Sequence, residues 1–216
     1  MKTIWLTMMV VAFSCLTVAQ ASELEGSNDL LQLQHEWAHI NYELGDDQKE
    51  AAFEALDAKA HAWAAKHADK AEPLIWEAII KSTYAGAKGG LGALSLMEEA
   101  RDLLLKAEKI DAKSLNGSIY TSLGSFYYMT PGWPIGFGDD DKAQSYLKKA
   151  IEMASDDMDA NYFNGDYWLE EHEYKKSAEY LQKVIDLPNV ENRPVYSKGR
   201  KAEAAEKLKK AQKHIH

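Results

Sequence analysis

Cysteine is almost missing from this chain. Cys15 is the sole one, so no disulfide framework can form within the chain, and no thiol nucleophile exists outside the first 21 residues. Positive charge is also scarce through most of its length. Residues 22–192 carry 16 Lys+Arg against 32 Asp+Glu, a net of −16. An acidic body of this kind repels nucleic acid and anionic lipid, which excludes both as main partners. No apolar run after residue 21 is long enough to span a bilayer. No Ser/His/Asp or Cys/His set stands in a recognisable catalytic frame, so an enzyme is not expected.

The apolar run that does occur is at the start. Lys2 provides the charged opening, Ile4 to Val18 is mostly apolar, and Ala19-Gln20-Ala21 offers small residues for cleavage. This pattern predicts a secretory signal peptide cut after Ala21 and a periplasmic protein. A lipoprotein cut before Cys15 fits poorly, because Phe13 occupies a position where that signal wants a smaller residue. The 195 residues that follow are enough for one domain with its own core. The last stretch, 193–216, reverses the charge balance with eight basic and two acidic residues. It reads as a capping helix with a solvated basic face.

Three phrases recur in the chain: ARDLLLKAEKID (100–111), AQSYLKKAIEMA (143–154) and SAEYLQKVIDLP (177–188). Each has a small residue, Leu four positions later (Leu104, Leu147, Leu181), and an apolar close. The second and third are offset by 34 residues, a period that signals stacked helical pairs. A first helix precedes each phrase. Gly165, Trp168 and Tyr174 lead into Ser177; Tyr120, Leu123, Gly124 and Tyr127 lead into Ala143; Trp76, Ile79 and Tyr84 lead into Ala100. From Gly165 to Ser177 is 12 residues and from Gly124 to Ala143 is 19, so seven are inserted in the middle unit.

These residues resemble the tetratricopeptide repeat. The resemblance implies an all-α, right-handed helical-repeat solenoid of paired helices ending in a capping helix. Repeats are expected at about 73–111, 116–155 and 158–188, after a degenerate pair at 28–67, with the cap at 198–213. In the degenerate pair, Leu30, Leu33, Trp37, Ile40 and Leu44 form one helical stripe. Gly45 stops that helix, and Asp46 or Asp47 caps the next. In the cap, Ala202, Ala205, Leu208 and Ala211 or Gln212 are expected to face inward.

The string from LNGSIYTSLGSFYYM to NYFNGDYWLEE also looks like a group of exported bacterial tetratricopeptide proteins of unassigned function. A more distant likeness is to the periplasmic T component of tripartite ATP-independent transporters. It implies repeats around a cavity for small apolar ligands.

Carrying over the family's groove positions gives Glu77, Lys81 and Tyr84, then Ser118, Thr121, Ser125 and Tyr128, then Tyr162, Asp166 and Leu169. Among these only Lys81 is cationic, so the family's carboxylate-clamping activity does not transfer. The expected partner is a protein or peptide, with a small apolar ligand as the alternative. No cofactor is expected.

Three motifs tempt a more specific reading. HEWAH (35–39) has zinc-protease spacing, but His35 and His39 lie roughly 160° from the stripe through Trp37, and no third ligand is marked, so no metal site is expected. GAKGGLG (86–92) lacks the ending of a phosphate loop and reads as a mobile turn. GDDDKA (138–143) lacks the alternating oxygens of a calcium loop, so Asp139 to Asp141 read as a helix cap. The middle insertion, 129–140, carries Trp133, Ile135 and Phe137. They are expected to fold back over the repeat edge as a staple; the alternative is an apolar lip for a partner. The glycine-rich segment 86–92 is expected beside this loop.

Overall fold

The computed structural model describes residues 27–215. The leader, Cys15 and the cleavage site after Ala21 lie outside them. Within the described residues the chain folds as helices, and the sole β-type pairing is an isolated bridge between Gly132 and Gly138. Helix α1 covers 27–43. It is followed by α2 (Asp46–Lys66), α3 (Ala71–Lys88), α4 (Gly90–Asp111), a 3-10 turn (Ser114–Gly117) and α5 (Ser118–Met129). Then come α6 (Asp140–Met153), α7 (Met158–Glu170), α8 (Tyr174–Asp186) and α9 (Pro194–Gln212). None is long and apolar enough to cross a membrane.

Helix starts follow local chemistry. Asp139 caps α6 by accepting the Lys142 N–H at 3.0 Å, as the acidic run suggests. Asp157 caps α7 by accepting the Ala160 N–H at 2.8 Å. At α2 the cap is Gly45 rather than an aspartate; Asp46 and Asp47 stand in the first turn, where they favour the helix dipole. Helix α9 starts at Pro194, four residues before the expected position. A proline is well placed there, since the first helical N–H has no partner anyway.

The pairs are made by close crossings at glycine. A Cβ on Gly124 would stand 2.7 Å from Cγ of Leu147, and one on Gly165 would stand 2.6 Å from Cγ of Leu181. The repeat unit is therefore the same contact made twice, although 23 residues separate the first couple and 16 the second. The extra seven residues leave the helices as the 130–139 loop. In the first phrased unit the outcome differs. Instead of a loop, the expected turn at 86–92 is absorbed into helix, with α3 ending at Lys88 and α4 opening at Gly90. Ala85, Ala87 and Ala93 favour helix, and Gly89 reverses the chain at φ 64°, a conformation that glycine adopts freely.

Helices α3, α5, α7 and α9 pack on one another in series and form the inner layer, with α4, α6 and α8 paired outside α3, α5 and α7. The stack curls until its ends meet. The Tyr42 ring of α1 lies on Gly199 of α9, where a Cβ would be 2.3 Å from the ring. Its hydroxyl donates to Glu203 at 3.2 Å, and the His35 ring N–H donates to the Asn192 carbonyl. Trp37 packs near Trp76 of α3 and Tyr196 of α9, with centroids 6.2 and 6.4 Å away. One core cluster accordingly draws residues from α1, α2, α3, α7, α8 and α9 together.

The register of α9 also differs from expectation. Its buried side is Tyr196, Arg200, Ala204, Leu208 and Ala211, while Ala202 and Ala205 face solvent. Alanines do not decide a face; the large Tyr196 and Leu208 do.

Candidate functional site

The curled inner layer encloses a cavity of about 1230 Å³ that is open to solvent. Its wall is divided in character. One part is apolar, from Trp76 and Ile79 on α3, Leu94 and Met97 on α4, and Phe126 and Met129 on α5. Trp37 of α1 joins this part through its ring, held by an indole N–H bond to Thr83 at 2.9 Å. Another part is charged, from Asp157, Asp159 and Asp166 on and before α7, and Arg200, Glu203 and Lys207 on α9.

Five of the expected groove residues line this cavity: Ser118, Thr121, Ser125, Tyr162 and Asp166. Tyr128 stands behind the wall; its hydroxyl donates to Asp166 at 2.9 Å. Leu169 does not reach the cavity, being beyond the last inner turn of α7. Glu77, Lys81 and Tyr84 are placed elsewhere, which corrects the expectation for α3. Glu77 accepts from His61 at 2.8 Å. Lys81 pairs with Asp57 of α2 and Glu99 of α4, at 3.0 and 3.3 Å. The Tyr84 hydroxyl accepts from Lys88. The inner stripe of α3 is instead Trp76, Ile79, Thr83 and Gly86. The frame carried over at Glu77 and Tyr84 is thus one residue late, a turn of roughly 100° on a helix. Ile80, where the repeat wants a small residue, gives no glycine contact from which to set that frame.

The charged wall is a buried network. Arg200 is 6% exposed, approaches Asp159 at 2.8 Å and Glu203 at 2.6 Å, and lies 4.2 Å over the Tyr162 ring. Burial alone would weaken its hold on the proton, but Asp159, Tyr42 and Glu203 outweigh that and keep it charged. Lys207 pairs with Asp166. Burial, and then the charge of Asp166, raises the Tyr128 phenol well above its usual range. Asp157 is an exposed residue at the start of α7, with protein close to its carboxylate on one side. This desolvation, with the charge of Asp159 added, pushes it up to about 6.

The 130–139 loop forms one lip of the cavity. Trp133 is 90% exposed and Ile135 68% exposed, so the staple expectation fails for both. Phe137 alone folds back, edge-to-face on Tyr127 at 5.5 Å and beneath Arg101 at 4.5 Å. Gly136 sits against α4, with Leu94 Cδ1 3.1 Å from where its Cβ would be. The loop and the 86–92 turn region are thus neighbours, as the order of the pairs implies. Pro131 and Ile135 line the cavity, and Trp133 stands outside it.

In HEWAH, Glu36 is engaged by Lys59 at 2.7 Å and His39 donates to Glu43 at 2.7 Å. With His35 turned to Asn192, the motif serves helix packing.

Several lining residues are not among those expected at a site: Trp37, placed by sequence only in the stripe of the first helix, and Phe53, Asp159, Arg193, Arg200 and Lys207. Arg193, Arg200 and Lys207 come from the end expected only to cap, and reach the cavity because the stack closes.

No family model and no curated protein matches the chain. Among solved structures it is similar to the crystal structure of MamA protein, at 21% identity over 82% of this chain and 91% of that one, with a TM-score of 0.41.

Proposed function

We propose that this protein is an exported helical-repeat scaffold of the periplasm that binds a protein or peptide segment in its central cavity. The observation that carries the reading is the cavity itself. At about 1230 Å³ it exceeds the roughly 300–1,000 Å³ typical of small-molecule pockets. Its wall sets an apolar part beside one with hydroxyls and charges, which suits a peptide with mixed side chains. The exposed Ile135 and Met129 at the lip extend the apolar surface beyond the interior. The alternative, a carrier for a small apolar ligand, asks for a closed and dry chamber. The open mouth and the charges of Asp157, Asp159 and Glu203 count against it. Export rests on the leader pattern at 1–21. The function is binding rather than catalysis.

Affinity capture from periplasmic extract tests the proposal, comparing the wild type with Ile135→Asp and with a chain lacking 131–138. A partner retained by the wild type and released by both changes is expected. A partner held equally by all three refutes the cavity as its site.

A further inference from the structure

Charge pairing around the cavity is nearly complete among the described residues, and the exceptions are Asp157 and Arg193, both on its wall. Six carboxylates line it: Asp46, Asp156, Asp157, Asp159, Asp166 and Glu203. Five have a basic nitrogen within bonding reach. Asp46 has Lys49, Asp156 has Lys183, Asp159 and Glu203 share Arg200, and Asp166 has Lys207. Among the described residues Asp157 has no such cation. Its carboxylate caps α7 through the Ala160 N–H, takes a second backbone contact from Asp159, and lies on the cavity wall. Arg193 eases its charge only in part; that guanidinium stands over the Tyr196 ring, 3.9 Å from its centroid.

A second observation comes from the opposite lip. Thr130 is 7% exposed and lines the cavity, yet among the described residues its hydroxyl oxygen has no hydrogen-bond partner. A buried hydroxyl left unpaired is unfavourable. Here it sits next to Met129 and Ile135, which are 59% and 68% exposed. An occupant is needed that supplies apolar side chains and a polar group at one side, and a cation at the other.

We propose that the cavity takes a basic, apolar peptide segment of a partner protein, with a Lys or Arg side chain against Asp157 and apolar side chains on Leu94, Met97, Phe126 and Ile135. This rests on the binding function above and adds its chemistry. The net −10 of residues 22–216, from −16 over 22–192 and +6 over 193–216, would draw such a segment in and speed its encounter.

The test uses a fluorescein-labelled amphipathic peptide of Leu and Lys, with a matched peptide of Leu and Glu, titrated against the full chain. The Leu/Lys peptide is expected to bind and the Leu/Glu peptide not. Asp157→Asn keeps the helix cap, since Asn caps as well as Asp, and should weaken binding about tenfold, the loss of one close charge pair. Glu179→Gln, which removes the same charge from the exposed side of α8, controls for general attraction and should have no effect. Equal binding of the two peptides, or equal effects of the two substitutions, overturns the inference. If Ile135→Asp then abolishes binding of both peptides, the cavity still binds segments and only the cation is wrong. If Ile135→Asp changes neither, the binding function falls as well. Self-association by sedimentation that disappears in Asp157→Asn would make a second copy the occupant, and would also overturn the proposal.

Discussion

Replacing Gly199 with alanine examines the closure of the stack directly. In the interior of a helix such as α9, Gly→Ala ordinarily stabilises by about 0.5–1 kcal/mol. Here the new Cβ would lie 2.3–2.5 Å from ring carbons of Tyr42, far inside any tolerated contact. The ring would have to move, taking with it the hydroxyl bond to Glu203. Overpacking of this kind costs about 1–3 kcal/mol, so the contact term outweighs the propensity gain. A net loss of about 1–2 kcal/mol is expected, or a fall in Tm of roughly 2–8 °C for a chain of this size. The partner residue makes the prediction specific. In a Tyr42→Ala background the same Gly199→Ala change should become stabilising, by about 0.5–1 kcal/mol. Urea unfolding of the four proteins measures both signs. If Gly199→Ala stabilises the chain that retains Tyr42, α1 does not lie on α9, and the cavity as described does not exist.

Other expectations follow from individual side chains. Trp133→Ala should leave the melting temperature unchanged, because the ring is 90% exposed. Phe137→Ala should lower stability by about 2 kcal/mol, below the 3–5 of a fully buried ring; calorimetry of both distinguishes lip from staple. Arg200→Met removes the one cation between Asp159 and Glu203 and should cost about 3–5 kcal/mol in urea unfolding, as uncompensated buried charge does. Asp157→Asn should stabilise the protein at pH 8 and do so less as pH falls. The Asp157 pKa rises from 3.8 to about 6 on folding, so the folded state holds the proton more tightly. The charge penalty is full above pH 6 and gone below about 4. Thermal melts from pH 8 to 4 that show the opposite trend would refute the desolvation of this carboxylate.

The helical pairing was legible because it rests on local pattern. Leu147 and Leu181 recur at the repeat period, and each meets a glycine that only a close helix crossing needs. Even the inserted loop could be counted from residue spacing. The inner face of α3 could not be framed in the same way, because Ile80 stands where that glycine would be. Trp76 and Thr83 therefore took the inner positions assigned to Glu77 and Tyr84. The closure of the stack was illegible for a different reason. Small rotations between pairs accumulate until α1 reaches α9, and no short motif records such a sum. Arg200 illustrates this. In sequence it belongs to a basic tail, yet in the fold it is buried among Tyr162, Asp159 and Glu203. Trp133 shows the limit of arguing from hydrophobicity alone, since an exposed aromatic is costly only where no partner exists to cover it.

Site-specific photocrosslinking bears most directly on the claim that the cavity holds a partner segment. Apart from Cys15 the chain has no thiol, so a Cys15→Ser background accepts a single cysteine carrying a benzophenone. Placed at Thr121, inside the cavity, the label should join covalently to a periplasmic protein, through a segment that peptide mapping shows to be basic and apolar. Placed at Glu152 on α6, outside the inner layer, it should not. Crosslinks to the same protein from Glu152 and none from Thr121 would put the partner on the outer helices and contradict the account.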